Sequence, residues 1–150
     1  MKIALFFHVL GVVVWVGGMF FAYVALRPAA TVLDPPQRLP LWRETLRRFF
    51  NWVWVAIGFV LASGLAMLFA LGGFGATGQH VHAMLAIGMV MTVIFIYVYV
   101  VPFKHLGAAV AAIDWRQGGG ALNRIRKLVA VNLTLGLVTI AIATAGAALL

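Results

Sequence analysis

Four long apolar runs, over roughly residues 3–26, 49–71, 81–103 and 128–149, leave this 150-residue chain few folds to choose from. A helix rises about 1.5 Å per residue, so about 20 apolar residues cross a hydrocarbon core of roughly 30 Å. Each run is long enough. Backbone amides in lipid have no water to bond and must find partners within their own segment, as a helix provides. The alternating pattern of a membrane β-barrel is absent. Composition agrees, with 65% hydrophobic and 9% charged residues, far from the balance of a water-soluble domain. The sequence therefore predicts an all-α integral membrane four-helix bundle, a single domain over residues 1–150.

The first run follows one basic residue, Lys2. It exceeds the about 7–15 apolar residues of a signal-peptide core and carries His8, Trp15 and a glycine pair, so it is expected to stay as a helix.

A net charge of +8 in a soluble chain would suggest nucleic acid as a partner. Its distribution argues against that. Arg27, Arg38, Arg43, Arg47 and Arg48 lie between the first two runs, and Lys104, Arg116, Arg124, Arg126 and Lys127 between the last two. The middle connection, "GGFGATGQHVH", has no Lys or Arg. The positive-inside rule then puts both basic loops in the cytoplasm and both termini in the periplasm. The expected partner is the lipid bilayer, with a homo-oligomer or a redox partner possible and no nucleic acid. In the first loop, "DPPQRLPLWRETLRRFF", the prolines end the first helix, and "LWRETLRR" fits a short helix on the headgroups. In the second, "GGG" at 118–120 predicts a break before the fourth helix.

Chemistry-bearing side chains in the apolar runs are few. His8 lies roughly 9 Å below Lys2, while His80 and His82 open the third run from the same surface. On the third helix His80 shares a side with Met84, Ile87 and Met91, and His82 with Ala86, Met89 and Val93, so only one of the two can face the bundle centre. An imidazole embedded like His8 among Phe6, Phe7, Val9 and Leu10 usually points inward and has a function. Imidazole suits copper and haem iron. A b-type haem would take His8 and His82 as ligands, with Gly11, Trp15, Gly64 and Met67 as walls. A copper ion would take His8 with His80 or His82, and Met84 or Met67 as a soft donor. A third reading makes the chain a structural subunit with interfacial histidines. The carboxylates Asp34, Glu44 and Asp114 all fall on the basic side, so hydrolysis and carboxylate proton relays find no support.

The stretch "HVLGVVVWVGGMFFAYVALRPA", with His8, Trp15, Gly17 and Gly18, resembles the CopD family of bacterial membrane proteins. The "VPFKHL" exit of the third helix and "LNRIRKLVAVNLTLG" are similar to small members of that family. This resemblance implies a four-helix unit in the bacterial inner membrane and a link to copper uptake or export. A more distant similarity is to the HemJ-type protoporphyrinogen oxidases, whose first helix carries a histidine and which bind haem b. It implies a haem held through His8 and His82. Where those oxidases place a lysine this chain has Met84, so their activity is not carried over. The expectation from residues and resemblance together is a redox metal centre between the first and third helices near the periplasmic face. Haem b is the first choice and copper the alternative, with a membrane oxidoreductase as the possible enzyme.

Overall fold

A computed structural model describes residues 1–146, all of its regular structure helical. Helix α1 covers Lys2–Val32, α2 Pro35–Ala70, α3 Gln79–Val100, α4 Pro102–Ala111 and α5 Trp115–Ala145. With α3 and α4 taken as one rod, four helices are long and apolar enough to cross a membrane. The fourth apolar run extends into residues 147–149, which lie outside the described residues.

The basic loops are shorter than the sequence suggests, because the helices continue beyond the apolar runs. Helix α1 widens into π turns at Val13–Gly17 and Phe21–Leu26 and runs on through Pro28. The chain turns at Leu33, whose backbone is extended. Pro35 and Pro36 then occupy the first turn of α2, where no amide proton is needed. "LWRETLRR" is therefore no separate surface helix. It lies within α2, after its first turn, with Glu44 bonded to Arg47 and Arg48 at 2.7–2.8 Å.

The second loop departs from expectation in the same sense. The rod bends at Val101, where Pro102 starts α4, and the chain reverses at Ile113 through a positive φ of 57°. Asp114 then caps α5 by accepting a bond from the Gln117 amide at 2.9 Å. The three glycines lie inside α5 and do not break it. A Cβ on buried Gly118 would stand 2.9 Å from Leu39 Cδ1, so glycine here lets two helices approach closely.

The core is aromatic. Phe50, 2% exposed, meets the rings of Phe95 at 5.3 Å and Phe103 at 5.0 Å. Trp54 adds contacts to Phe95 and Tyr99, and Trp15 reaches Phe95 from α1. Each such pair contributes about 0.5–1.5 kcal/mol beyond simple contact. Asn132, 3% exposed, donates to the Met91 carbonyl at 3.1 Å and joins α5 to α3. Outward side chains such as Phe6, Phe20, Trp52 and Val93 are more than half exposed, the apolar surface that lipid covers.

Candidate functional site

Three of the four histidines gather at the end of the bundle opposite the basic loops, but they face different ways. His8 looks from α1 onto α2. A Cβ at Gly11 would lie 2.8 Å from Val60 Cγ2 and 2.9 Å from the Ala56 carbonyl oxygen, so glycine sets the close approach of the two helices. One turn toward the N-terminus the His8 ring rests on Gly64, its Cε1 only 3.3 Å from where a Cβ would stand. Its Nδ1 lies 3.1 Å from the Val60 carbonyl oxygen and 3.1 Å from Ser63 Oγ.

Those partners define the tautomer. A carbonyl oxygen only accepts, and the Ser63 hydroxyl donates its proton to the Phe59 carbonyl. The proton on the His8 ring therefore sits on Nδ1, and Nε2 presents a lone pair. Metal-binding histidines commonly show this pattern, one nitrogen anchored to a backbone carbonyl and the other left for the metal.

His80 and His82 divide as two positions on opposite sides of a helix must. Along α3 the His80 side continues through half-buried Met84 and Ile87 to buried Met91, and so faces the bundle. The His80 side chain packs on α5, its Cβ 3.2 Å from the Cβ position of Gly146, and its Nδ1 is buried without a hydrogen-bond partner. The His82 side continues through exposed Ala86, Met89 and Val93. His82 Nε2 turns back to the connection before its own helix, donating to the Phe74 carbonyl at 3.1 Å, with Thr77 Oγ1 at 3.3 Å and the Phe74 ring alongside.

The geometry gives the haem reading no support. Two axial imidazoles must face each other across a slot, whereas His8 is committed to α2 and His82 to its own loop on the outward side of α3. Of the remaining residues expected to wall the haem, Gly11 and Gly64 serve the α1–α2 contact. Trp15 is 4% exposed two turns deeper against Phe95, and Met67 is half-buried on α2. A cavity of about 330 Å³ at the basic end is lined by His105, Gln117 and Arg124, and a small one in mid-bundle by Trp15, Met19 and Asn132. Neither is lined by His8, His80 or His82. Haem b finds no support in this arrangement.

Copper makes smaller demands. No group of three His, Cys, Asp or Glu side chains able to hold a metal occurs among the described residues. Imidazole combined with thioether is a donor set that suits Cu(I). Met67 follows Ser63 and Gly64 by one turn on the same face of α2, and Met84 follows His80 by one turn on α3. Met67 thus lies in the register toward which the His8 ring leans, since helical side chains tilt toward the N-terminus.

A family model described as "Copper resistance protein D" matches residues 43–146, which takes in α2 from Arg43, all of α3 and α4, and α5. The chain belongs to the CopD family. The matched region of this CopD-family chain holds His80, His82, Met67 and Met84, whereas α1 with His8 precedes it. The part assigned to His8 therefore rests on its geometry. No curated protein and no solved structure gives a significant match. The chain is a multi-pass membrane protein, its four long helices in contact with the lipid bilayer.

Sequence reasoning missed the partners of His8. Gly64 is named among the walls of the site, but the Val60 carbonyl belongs to the backbone and carries no side-chain signal.

Proposed function

We propose that this CopD-family protein handles copper at the histidine end of its bundle, as Cu(I) bound between imidazole and thioether. The observation that carries the reading is His8 Nδ1 3.1 Å from the Val60 carbonyl oxygen, an acceptor for the ring proton that leaves Nε2 free to coordinate. Met67, one turn on from Ser63 along the same face of α2, is the soft donor of this reading. His80 and Met84, on the bundle-facing side of α3, form a second pair to which the ion can pass. By the positive-inside rule this end opens to the periplasm of a bacterial inner membrane, where copper would enter or leave the site. Imidazole and thioether are soft, neutral donors that favour Cu(I), and the bound ion keeps its single positive charge.

Competition between detergent-purified protein and a chromophoric Cu(I) chelator tests the proposal. Wild type is expected to take copper from the chelator. His8→Ala should weaken binding by about tenfold or more, since even outer-shell partners of a metal shift affinity on that scale. Met67→Leu and His80→Ala should weaken it as well, and outward-facing His82→Ala should leave it unchanged. Equal copper affinity in His8→Ala and wild type would sink the reading. So would a purified wild type whose Soret band disappears in His8→Ala, which would return the site to haem.

A further inference from the structure

At the opposite end of the molecule, α1 ends, α2 begins and the charged first turns of α5 meet them. Arg126 places its guanidinium carbon 5.7 Å from the centre of the Trp42 ring. Trp42 is 4% exposed, and its Nε1 and the Nε of Arg126 are both buried without a hydrogen-bond partner. The charges of Arg27 and Arg38 are close enough to act on Arg126. Arg27 is itself held over the Tyr23 ring at 4.9 Å.

Among the described residues no carboxylate pairs with this group. Among the described residues the ion pairs are those of Glu44 with Arg47 and Arg48, while Asp114 caps α5. Among the described residues Asp34 makes no ion pair, so the buried Nε of Arg126, under the charges of Arg27 and Arg38, has no carboxylate beside it. Such an arrangement is costly unless an anion belongs there, because like charges repel and buried donors want acceptors. The required anion must offer several oxygens to separate guanidinium forks, which a phosphate group does.

We infer that Arg27, Arg38 and Arg126, backed by the Trp42 indole, bind a phosphate group, most naturally the headgroup of an anionic phospholipid. Depth favours the lipid source. Arg27 follows the first apolar run directly and Arg126 stands just before the last, which places both where headgroup phosphates lie. Inorganic phosphate offers the same oxygens without the acyl chains.

Native mass spectrometry of the full chain in detergent separates the sources. Phosphatidylglycerol should be retained in preference to phosphatidylcholine. Arg126→Gln and Arg27→Gln should each lower that retention by about fivefold, the scale of one basic residue at a membrane surface. Arg116→Gln, an exposed charge elsewhere on the same end, should leave it unchanged. Arg126→Lys, which keeps the charge and loses the fork, should fall between wild type and Arg126→Gln. Displacement of the lipid by millimolar inorganic phosphate would support the site with free phosphate as its ligand. The inference is overturned if wild type retains both lipids equally, or if Arg116→Gln lowers retention as much as Arg126→Gln does. Should Arg126→Gln not fold, Arg27→Gln reads the same site from a residue whose ring contact lies on α1.

Discussion

Around Phe50, side chains from α2, α3 and α4 close over one another, and at the basic end Leu39, Leu106 and Ile125 are covered almost completely. At the histidine end the contacts resolve into two pairs, α1 on α2 through Gly11 and Gly64, and α3 on α5 beside His80 and Gly146. No residue of α3 before Met91 is fully buried, and beyond Gly136 none of the described residues of α5 is. The contrast separates two tasks. Large rings in mid-bundle and at the basic end hold the helices together, because in lipid helix association depends on close packing. Smaller residues at the other end leave His8 half-covered, with Nδ1 held by the Val60 carbonyl and Nε2 without a protein partner. A metal could not enter a site packed like the surroundings of Phe50.

If the division is real, the largest loss of stability should come from the aromatic cluster. Phe50→Ala removes a ring that touches Phe95, Tyr99 and Phe103, and the neighbours cannot collapse fully into the space. A loss of about 3–5 kcal/mol is expected, on the scale of buried phenylalanine truncations. Thermal unfolding in detergent reads it directly, and copper affinity at temperatures where the variant is folded should be unchanged. A loss below that of any histidine-end substitution would break the comparison.

The next effect belongs to the level between the two ends. Asn132→Leu deletes the bond to the Met91 carbonyl and brings a branched side chain toward the small cavity beside Trp15 and Met19. Interhelical polar contacts in membranes are worth roughly 0.6–2 kcal/mol, so a loss near 1 kcal/mol is expected. The same melts would show it. No loss would mean that α3 and α5 are held by packing alone.

The four spans could be read from the sequence because hydropathy and length answer to the bilayer, a property that each segment meets alone. What depended on a distant segment could not. The "GGG" stretch looks like a break, since glycine is a poor helix former, but its first glycine lies against Leu39 from another helix. The histidines illustrate the same limit. Counting residues from the chain's charged end gave their depth, and His8, His80 and His82 do share one end. Lateral position is a second coordinate that counting does not supply. It depends on which helices are neighbours and on how each is rotated, and rotation turned His80 inward and His82 out. The rule that only one of the pair could face the bundle was sound, and the choice between them needed the packing.

The smallest expected effect on stability is also the most informative about function. Gly64→Val puts two methyl groups where the His8 ring lies, with Cε1 already 3.3 Å from the Cβ position. The ring must swing away, and the Nδ1 bond to Val60 is lost. Such a half-covered bond is worth about 1 kcal/mol, and the ring can relax toward its open side, so stability should fall by no more than about that amount. Copper affinity should nevertheless fall as far as in His8→Ala, because an imidazole without its anchor no longer holds Nε2 in place for the ion. A melt and a chelator competition on one preparation give both numbers. Near-wild-type stability with lost copper binding would show the histidine end to be arranged for ligation. A drop in stability comparable with Phe50→Ala would show instead that His8 and Gly64 are ordinary packing, and the distinction between the two ends would disappear.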